Sequence, residues 1–257
     1  MGSGVSLRYA WAFLTRLPGG AHPPTERDLG RSVPWFPLVG AIVGAMGGAV
    51  FWAVWQPLGA PLAAILAVAT GAVVTGAFHE DGLADTADAL GGTTLEQRRE
   101  IMKDSRLGTF GTLVLVLATL VQVFAVMPLA PRDAVIAMAL AHGVGRTLAV
   151  AAMASAPTAP GSGLGHSYTA HLRGLPCALS LLLSYVAAFA LGWVGMFAFG
   201  GATGAALVVA LIAHRKFGGM TGDVLGAVVQ VSQMAALVAV SRLLDDFDWF
   251  SIGWFWN

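Results

Sequence analysis

The chain has 257 residues, of which 56% are apolar and only 11% charged, and its formal net charge is zero. A soluble domain carries roughly a quarter charged residues because its surface must face water, so most of this surface must face hydrocarbon. The zero net charge excludes a nucleic-acid footprint, and the single Cys177 excludes both a disulfide framework within the chain and a four-cysteine metal site.

Residues 5–17 carry Arg8 and Arg16 inside an apolar stretch, which is wrong for the core of a cleaved signal. Leu7, Trp11 and Leu14 stand at helical spacing. They suit an interfacial helix within a cytoplasmic segment of residues 1–35, the alternative being a helix packed on the rest of the protein. A helix needs about 20 apolar residues to cross a bilayer. On that basis the spans fall at 36–55, 61–78, 109–127, 134–153, 177–193, 194–213 and 224–243. Residues 56–60 separate the first two, and 192–201 offer the turn between the fifth and sixth. Small residues at Gly40, Gly44 and Gly48 allow helix backbones to approach closely.

Basic residues orient the spans. Arg8, Arg16, Arg27 and Arg31 precede the first span; Arg98, Arg99, Lys103 and Arg106 follow the second; Arg173 follows the fourth; Arg215 and Lys216 follow the sixth. The alternate loops are nearly free of positive charge, and the acidic Asp245, Asp246 and Asp248 fall on the depleted side. The expected fold is therefore all-α: one polytopic membrane bundle over residues 1–257, about seven crossings, N-terminus cytoplasmic and C-terminus outside.

Three polar clusters interrupt this pattern, all at expected cytoplasmic ends. The first is His79-Glu80-Asp81-Gly82-Leu83-Ala84-Asp85-Thr86-Ala87-Asp88. Asp81, Asp85 and Asp88 share one helical face at i, i+4 and i+7. Three stacked carboxylates repel unless a cation lies between them, and hard oxygen donors suit Mg²⁺ or Mn²⁺. Glu80 points about a quarter-turn away and could serve a second ion. A solvated acidic loop is the plainer alternative.

The second cluster, Lys103-Asp104-Ser105-Arg106-Leu107-Gly108-Thr109-Phe110-Gly111, combines a point charge, a guanidinium fork, a hydroxyl and flexible glycines at the start of a span. Such a set binds phosphate, with the helix N-terminus facing the anion; ordinary anchoring at a membrane boundary is the alternative. The third, Gly218-Gly219-Met220-Thr221-Gly222-Asp223, opens the last span. Asp223 there suits a metal or phosphate site, or a helix N-cap. Within the fourth span, Arg146 follows His142 by one turn; an ionised group there needs a partner in the bundle interior, whether an anionic substrate or a structural pairing. His166 and His171, in the polar loop 155–174, suit a surface better than a metal.

At these motifs the sequence resembles the cobalamin synthase family, the adenosylcobinamide-GDP ribazoletransferases. The resemblance runs through Phe13-Leu14-Thr15-Arg16-Leu17-Pro18, Trp35-Phe36-Pro37-Leu38-Val39-Gly40, the first two clusters, Gly163-Leu164-Gly165 and Thr221-Gly222-Asp223-Val224-Leu225-Gly226-Ala227. It implies an Mg²⁺-dependent enzyme of the inner membrane that joins adenosylcobinamide-GDP to α-ribazole, or its 5′-phosphate, and releases GMP. Under that reading Asp81, Asp85 and Asp88 hold Mg²⁺, with Asp223 and Glu80 as further ligands. Lys103 and Arg106 clamp phosphoryl oxygens, Asp104 or a free carboxylate accepts the proton of the attacking hydroxyl, and His79, Ser105, Arg146 and Gly222 line the substrates. A homo-oligomer stays open. One departure is Gln230, near which relatives of this family are expected to carry an acid. A lipid-headgroup phosphotransferase of the CDP-alcohol type shares the metal logic, but its Asp-Gly-x-x-Ala-Arg run is broken by Asp85. An ion-coupled transporter is the reading from another class; it puts ionisable groups near the membrane midplane, whereas nearly all of these lie at one face.

Overall fold

The structure, a computed structural model, describes residues 3–19, 26–155, 157–159 and 174–244. The described elements are helices: α1 Ser3–Leu14, α2 Glu26–Ser32, a 3₁₀ turn Val33–Trp35, α3 Phe36–Thr75, α4 Phe78–Ala89, α5 Leu95–Lys103, α6 Thr109–Val126, α7 Pro131–Ser155, α8 Leu175–Ala190, α9 Gly192–Phe217 and α10 Gly222–Leu243. Among the described residues, five stretches are long and apolar enough to cross a membrane: Gly30–Thr75, Thr109–Val126, Pro131–Ser155, Gly192–Phe217 and Gly222–Leu243. Their outward faces carry large exposed apolar side chains such as Trp52, Val73, Phe124 and Leu207, which water would not tolerate in such density. The protein is an all-α, multi-pass membrane helix bundle.

Helix α3 is not one rod. Its 40 residues would extend about 60 Å at the helical rise, twice the roughly 30 Å of a hydrocarbon core. Gly59 leaves helical geometry at φ 76°, ψ 162°, flanked by Pro57 and Pro61, so the break falls within the expected 56–60. The two arms lie side by side: a Cβ on Gly47 would stand 2.8 Å from the Ala67 carbonyl oxygen. The second arm stops at Thr75 rather than at Phe78, because Gly76 (φ 68°) and Ala77 (φ 55°) turn left-handed. The turn between α8 and α9 lies at the very start of the expected 192–201 window. It falls at Leu191–Gly192, with Gly192 at φ 68°, and Gly200 and Gly201 continue inside α9.

The glycine stripe of α3 packs on α7. Any Cβ at Gly44 would strike the Met138 carbonyl, and at Gly48 the Val135 backbone. The space is filled by main chain, which cannot move aside. Helix α1 packs on the bundle: Ala10 and Leu14 are buried in a cluster with Val33, Phe36, Val150 and Met153. The Arg16 amide then donates to the Val74 carbonyl at 2.8 Å, tying α1 to the end of α3. Arg173, the Gly163–Gly165 motif and the acidic tail lie outside the described residues.

Candidate active site

Helix α4 begins directly after the left-handed pair and crosses the first turn of α10, glycine against glycine. A Cβ on Gly82 would stand 2.7 Å from the Asp223 carbonyl oxygen, and one on Gly226 would stand 3.2 Å from the Gly82 Cα. This approach brings the Asp81 and Asp85 face of one helix against Asp223 of the other. Asp81 is exposed and Asp85 half-buried. Burial, followed by repulsion from Asp81, Asp223 and Asp88, pushes the Asp85 carboxyl up to about 6. The expected helical register of the acidic cluster is present, and Asp223, more than a hundred residues away in sequence, joins it.

Asp88 has a different task from its two helix-mates. It accepts hydrogen bonds from the Gly108 and Gly111 amides at 2.7 and 2.8 Å. Those amides belong to the start of α6, so the anion facing this helix N-terminus is the protein's own carboxylate. The absence of a side chain at Gly108 is required by that contact, since a Cβ would stand 2.5 Å from Asp88 Oδ1.

The connection from α5 to α6 is held from both sides. Thr94 caps α5 by accepting from the Gln97 amide at 3.2 Å, and the Thr221 hydroxyl donates to Met102 Sδ at 3.4 Å. Lys103, Ser105 and Arg106 on this connection are exposed. Arg106 Nε donates to both Asp104 oxygens at 3.0 Å, and Nη2 donates to Oδ2 at 2.6 Å. The guanidinium holds the Asp104 carboxyl below its ordinary range. In this arrangement the fork is turned back onto its own loop. The N-cap of α10 is Thr221, which accepts from the Val224 amide at 3.2 Å, so Asp223 is free of that role. Before it, Met220 pairs in a short bridge with residues 157–159, with N···O distances of 2.9 and 3.0 Å.

Behind the acids lies a buried polar group. Arg146 is 2% exposed; its Nη1 donates to the His142 carbonyl at 3.0 Å and to Gln233 Oε1 at 3.4 Å. Gln233 donates in turn to Gln122 at 2.7 Å, and Gln122 to Gln230 at 3.3 Å. Gln230 therefore belongs to an internal amide chain, where an acid would be a second buried charge. Arg146 has structural partners, and the carboxylate that acts on it electrostatically is Glu80. Glu80 Oε2, His79 Nδ1 and Arg146 Nε are all buried without a hydrogen-bond partner. Burial, then the charges of Arg146 and His142, hold His79 well below its ordinary pKa, so its imidazole is neutral. The sequence reading missed the glutamine chain, although glutamines inside apolar spans are themselves a signal of interior pairing. His166 and His171 lie outside the described residues.

Among the described residues, no three His, Cys, Asp or Glu side chains stand close enough to share one ion as they are placed. The donor chemistry still fits a hard divalent cation. Asp81, Asp85 and Asp223 offer only oxygens, and a cation among them would offset both the burial of the Asp85 carboxyl and, after it, the repulsion from Asp81, Asp223 and Asp88.

The family model for cobalamin-5-phosphate synthase matches residues 6–241. Three similar proteins are each named adenosylcobinamide-GDP ribazoletransferase. The one from Bradyrhizobium diazoefficiens is 37% identical, covering 92% of this chain and 93% of its own. That from Ectopseudomonas mendocina is 36% identical over 93% and 100%, and that from Citrobacter koseri 37% over 89% and 96%. No solved structure matches the chain.

Proposed function

The chain belongs to the cobalamin-5-phosphate synthase family, and from that premise we propose that it is an adenosylcobinamide-GDP ribazoletransferase. It takes adenosylcobinamide-GDP and α-ribazole, or α-ribazole 5′-phosphate, and releases GMP with the joined cobamide. The observation that carries this reading is the meeting of three distant segments at one end of the bundle: the acidic face of α4, Asp223 at the start of α10, and the basic connection before α6.

The reaction is a phosphoryl transfer, in which positioning and neutralisation of oxygen charge do most of the work. Asp81, Asp85 and Asp223 would hold Mg²⁺, with Glu80 in reserve. The ion would neutralise the pyrophosphate and the charge that develops on the leaving GMP. Asp88 fixes the start of α6 against these carboxylates and so sets the position of the 103–108 connection. Lys103 and Ser105 reach phosphoryl oxygens from that connection. Arg106 joins them once substrate phosphate replaces Asp104 as its partner, leaving Asp104 to accept the proton of the attacking hydroxyl.

The same reading places seven crossings in the membrane, with each arm of α3 counted separately and α8 counted as a short span. The N-terminus and the site then face the cytoplasm, on the side where Arg8, Arg16, Lys103, Arg106, Arg215 and Lys216 gather. Purified protein in detergent should release GMP from adenosylcobinamide-GDP only with both Mg²⁺ and α-ribazole present. Turnover indifferent to a chelator would remove the metal from this reading, and no GMP release under any condition would remove the function. Labelling of a cysteine introduced at Gln97 from the periplasmic side would overturn the orientation.

A further inference from the structure

Glu80 does not share the face of its acidic neighbours. It precedes Leu83 and Ala84 by three and four residues, so these side chains leave α4 on one side. Leu83 and Ala84 are both buried, whereas Asp81 is exposed. Glu80 therefore turns into the bundle in the same turn of helix that sends Asp81 outward. Its Oε2 is buried there without a hydrogen-bond partner.

The group it turns toward is Arg146. A Cβ on Gly226 would stand 3.2 Å from the His79 carbonyl oxygen, so the first turn of α4 rests on α10 at that glycine. Gln230 and Gln233 follow on the same face of α10 at i+4 and i+7, and Gln233 accepts from Arg146 at 3.4 Å. One face of α10 thus carries both the start of α4 and the head of Arg146. The guanidinium is held from the other side by α3, where a Cβ at Gly40 would strike Arg146 Cδ and stand 3.1 Å from Nε. Its acceptors, the His142 carbonyl and the Gln233 amide, are neutral and leave the charge uncompensated. A guanidinium nitrogen can only donate and an ionised carboxylate can only accept, so the unpaired Arg146 Nε and Glu80 Oε2 are complementary. Among the described residues, Glu80 is the carboxylate that acts on Arg146 electrostatically.

Resting on the ribazoletransferase reading, we propose that Glu80 and Arg146 form a buried charge couple that sets the rotation of α4, making both of them positioning residues for the carboxylates. A buried charge persists when an opposite charge offsets it, and here the two come from α4 and α7. Drawing Glu80 inward leaves Asp81 and Asp85 facing Asp223 across the contact of Gly82 with Gly226. The couple also holds Glu80 away from the ion and Arg146 away from the phosphates of the substrate.

A double-mutant cycle on the full chain in detergent, read by Mn²⁺ binding, tests the couple. Removing one member of a buried pair strands the other, whereas neutralising both does not. Glu80→Gln and Arg146→Gln should therefore each weaken Mn²⁺ binding about tenfold, and the double variant should return to within about threefold of wild type. Turnover separates positioning from substrate contact: Arg146→Gln should lower kcat while KM for adenosylcobinamide-GDP stays within about twofold, and the double variant should regain most of the lost kcat. A single variant that does not fold agrees with the couple only when the double variant folds; a double variant no more stable than the worse single one would overturn it. Mn²⁺ binding lost in Glu80→Gln and not regained in the double variant would make Glu80 a ligand and overturn it as well. So would a raised KM with full Mn²⁺ binding in Arg146→Gln, which would make Arg146 a substrate contact. GMP release with additive losses overturns the couple alone, whereas the rescue of Mn²⁺ binding without GMP release supports the couple and overturns the reaction.

Discussion

Replacing Asp88 by alanine tests how the site is held together. The carboxylate accepts two amide hydrogen bonds, at 2.7 and 2.8 Å, from the start of α6. A hydrogen bond to a charged group contributes about 1.5–3 kcal/mol when buried. Asp88 is only half-buried, so the lower end applies, and water recovers part of the loss at the freed amides. The negative charge at the helix N-terminus adds roughly 0.3–1 kcal/mol. The expected destabilisation for Asp88→Ala is therefore about 2–3 kcal/mol by these magnitudes, with Asp88→Asn losing less because its amide oxygen still accepts one bond. Equilibrium unfolding in mixed detergent–SDS micelles reads this directly. Gly108 adds a sharper test. Its φ of −91° suits any residue, so Gly108→Ala is penalised only by the clash with Asp88, and that penalty should shrink in the Asp88→Ala background. Additive effects of the two substitutions, or an Asp88→Ala loss below about 0.5 kcal/mol, the noise of such comparisons, would refute the reasoning.

Other consequences follow from the same packing. Asp85, raised to about 6, is protonated more readily folded than unfolded. Its contribution to stability is fully present below the unfolded value near 4 and is lost as pH rises through about 6. Metal-free wild type should therefore lose stability between pH 4 and 6 relative to Asp85→Asn, measured by thermal unfolding at each pH. For the same reason Mg²⁺ affinity should fall about tenfold per pH unit below 6, because the proton competes for the ligand; calorimetric titration at pH 5 and 7.5 checks this. Gly44→Ala should lower the folded yield sharply, since its methyl would meet the Met138 backbone and overpacking against main chain has no easy relief, typically about 1–3 kcal/mol or more. Thr221→Ala should remove the α10 cap and destabilise by about 1 kcal/mol, with a loss of turnover as Asp223 is released.

How much of this was legible in the sequence follows from what periodicity records. The i, i+4, i+7 spacing of Asp81, Asp85 and Asp88 announces a helical face, and α4 is that helix. The break at Gly59 was readable from Pro57, Gly59 and Pro61, and the Gly40, Gly44, Gly48 stripe announced a close helix contact that α7 supplies. What spacing cannot record is which partner a face meets. Asp88 looks identical to Asp81 in the repeat, yet it is claimed by the Gly108 and Gly111 amides because α6 happens to start beside it. Asp223 joins the acids only because Gly82 and Gly226 let two backbones touch. The glutamine chain around Arg146 is likewise a product of three helices meeting, α6, α7 and α10. The expected turn window of 192–201 holds several glycines, and only Gly192, its first residue, takes a left-handed φ, a choice that spacing does not record.

The central claim is that α4 and α10 together capture one divalent cation, and Mn²⁺ titration followed by EPR of the free ion addresses it without substrate. Wild-type protein should remove Mn²⁺ from solution in competition with Mg²⁺, and Asp81→Asn and Asp223→Asn should each weaken that binding at least tenfold, a difference of about 1.4 kcal/mol. Mn²⁺ uptake that is unchanged in either folded variant would contradict the account.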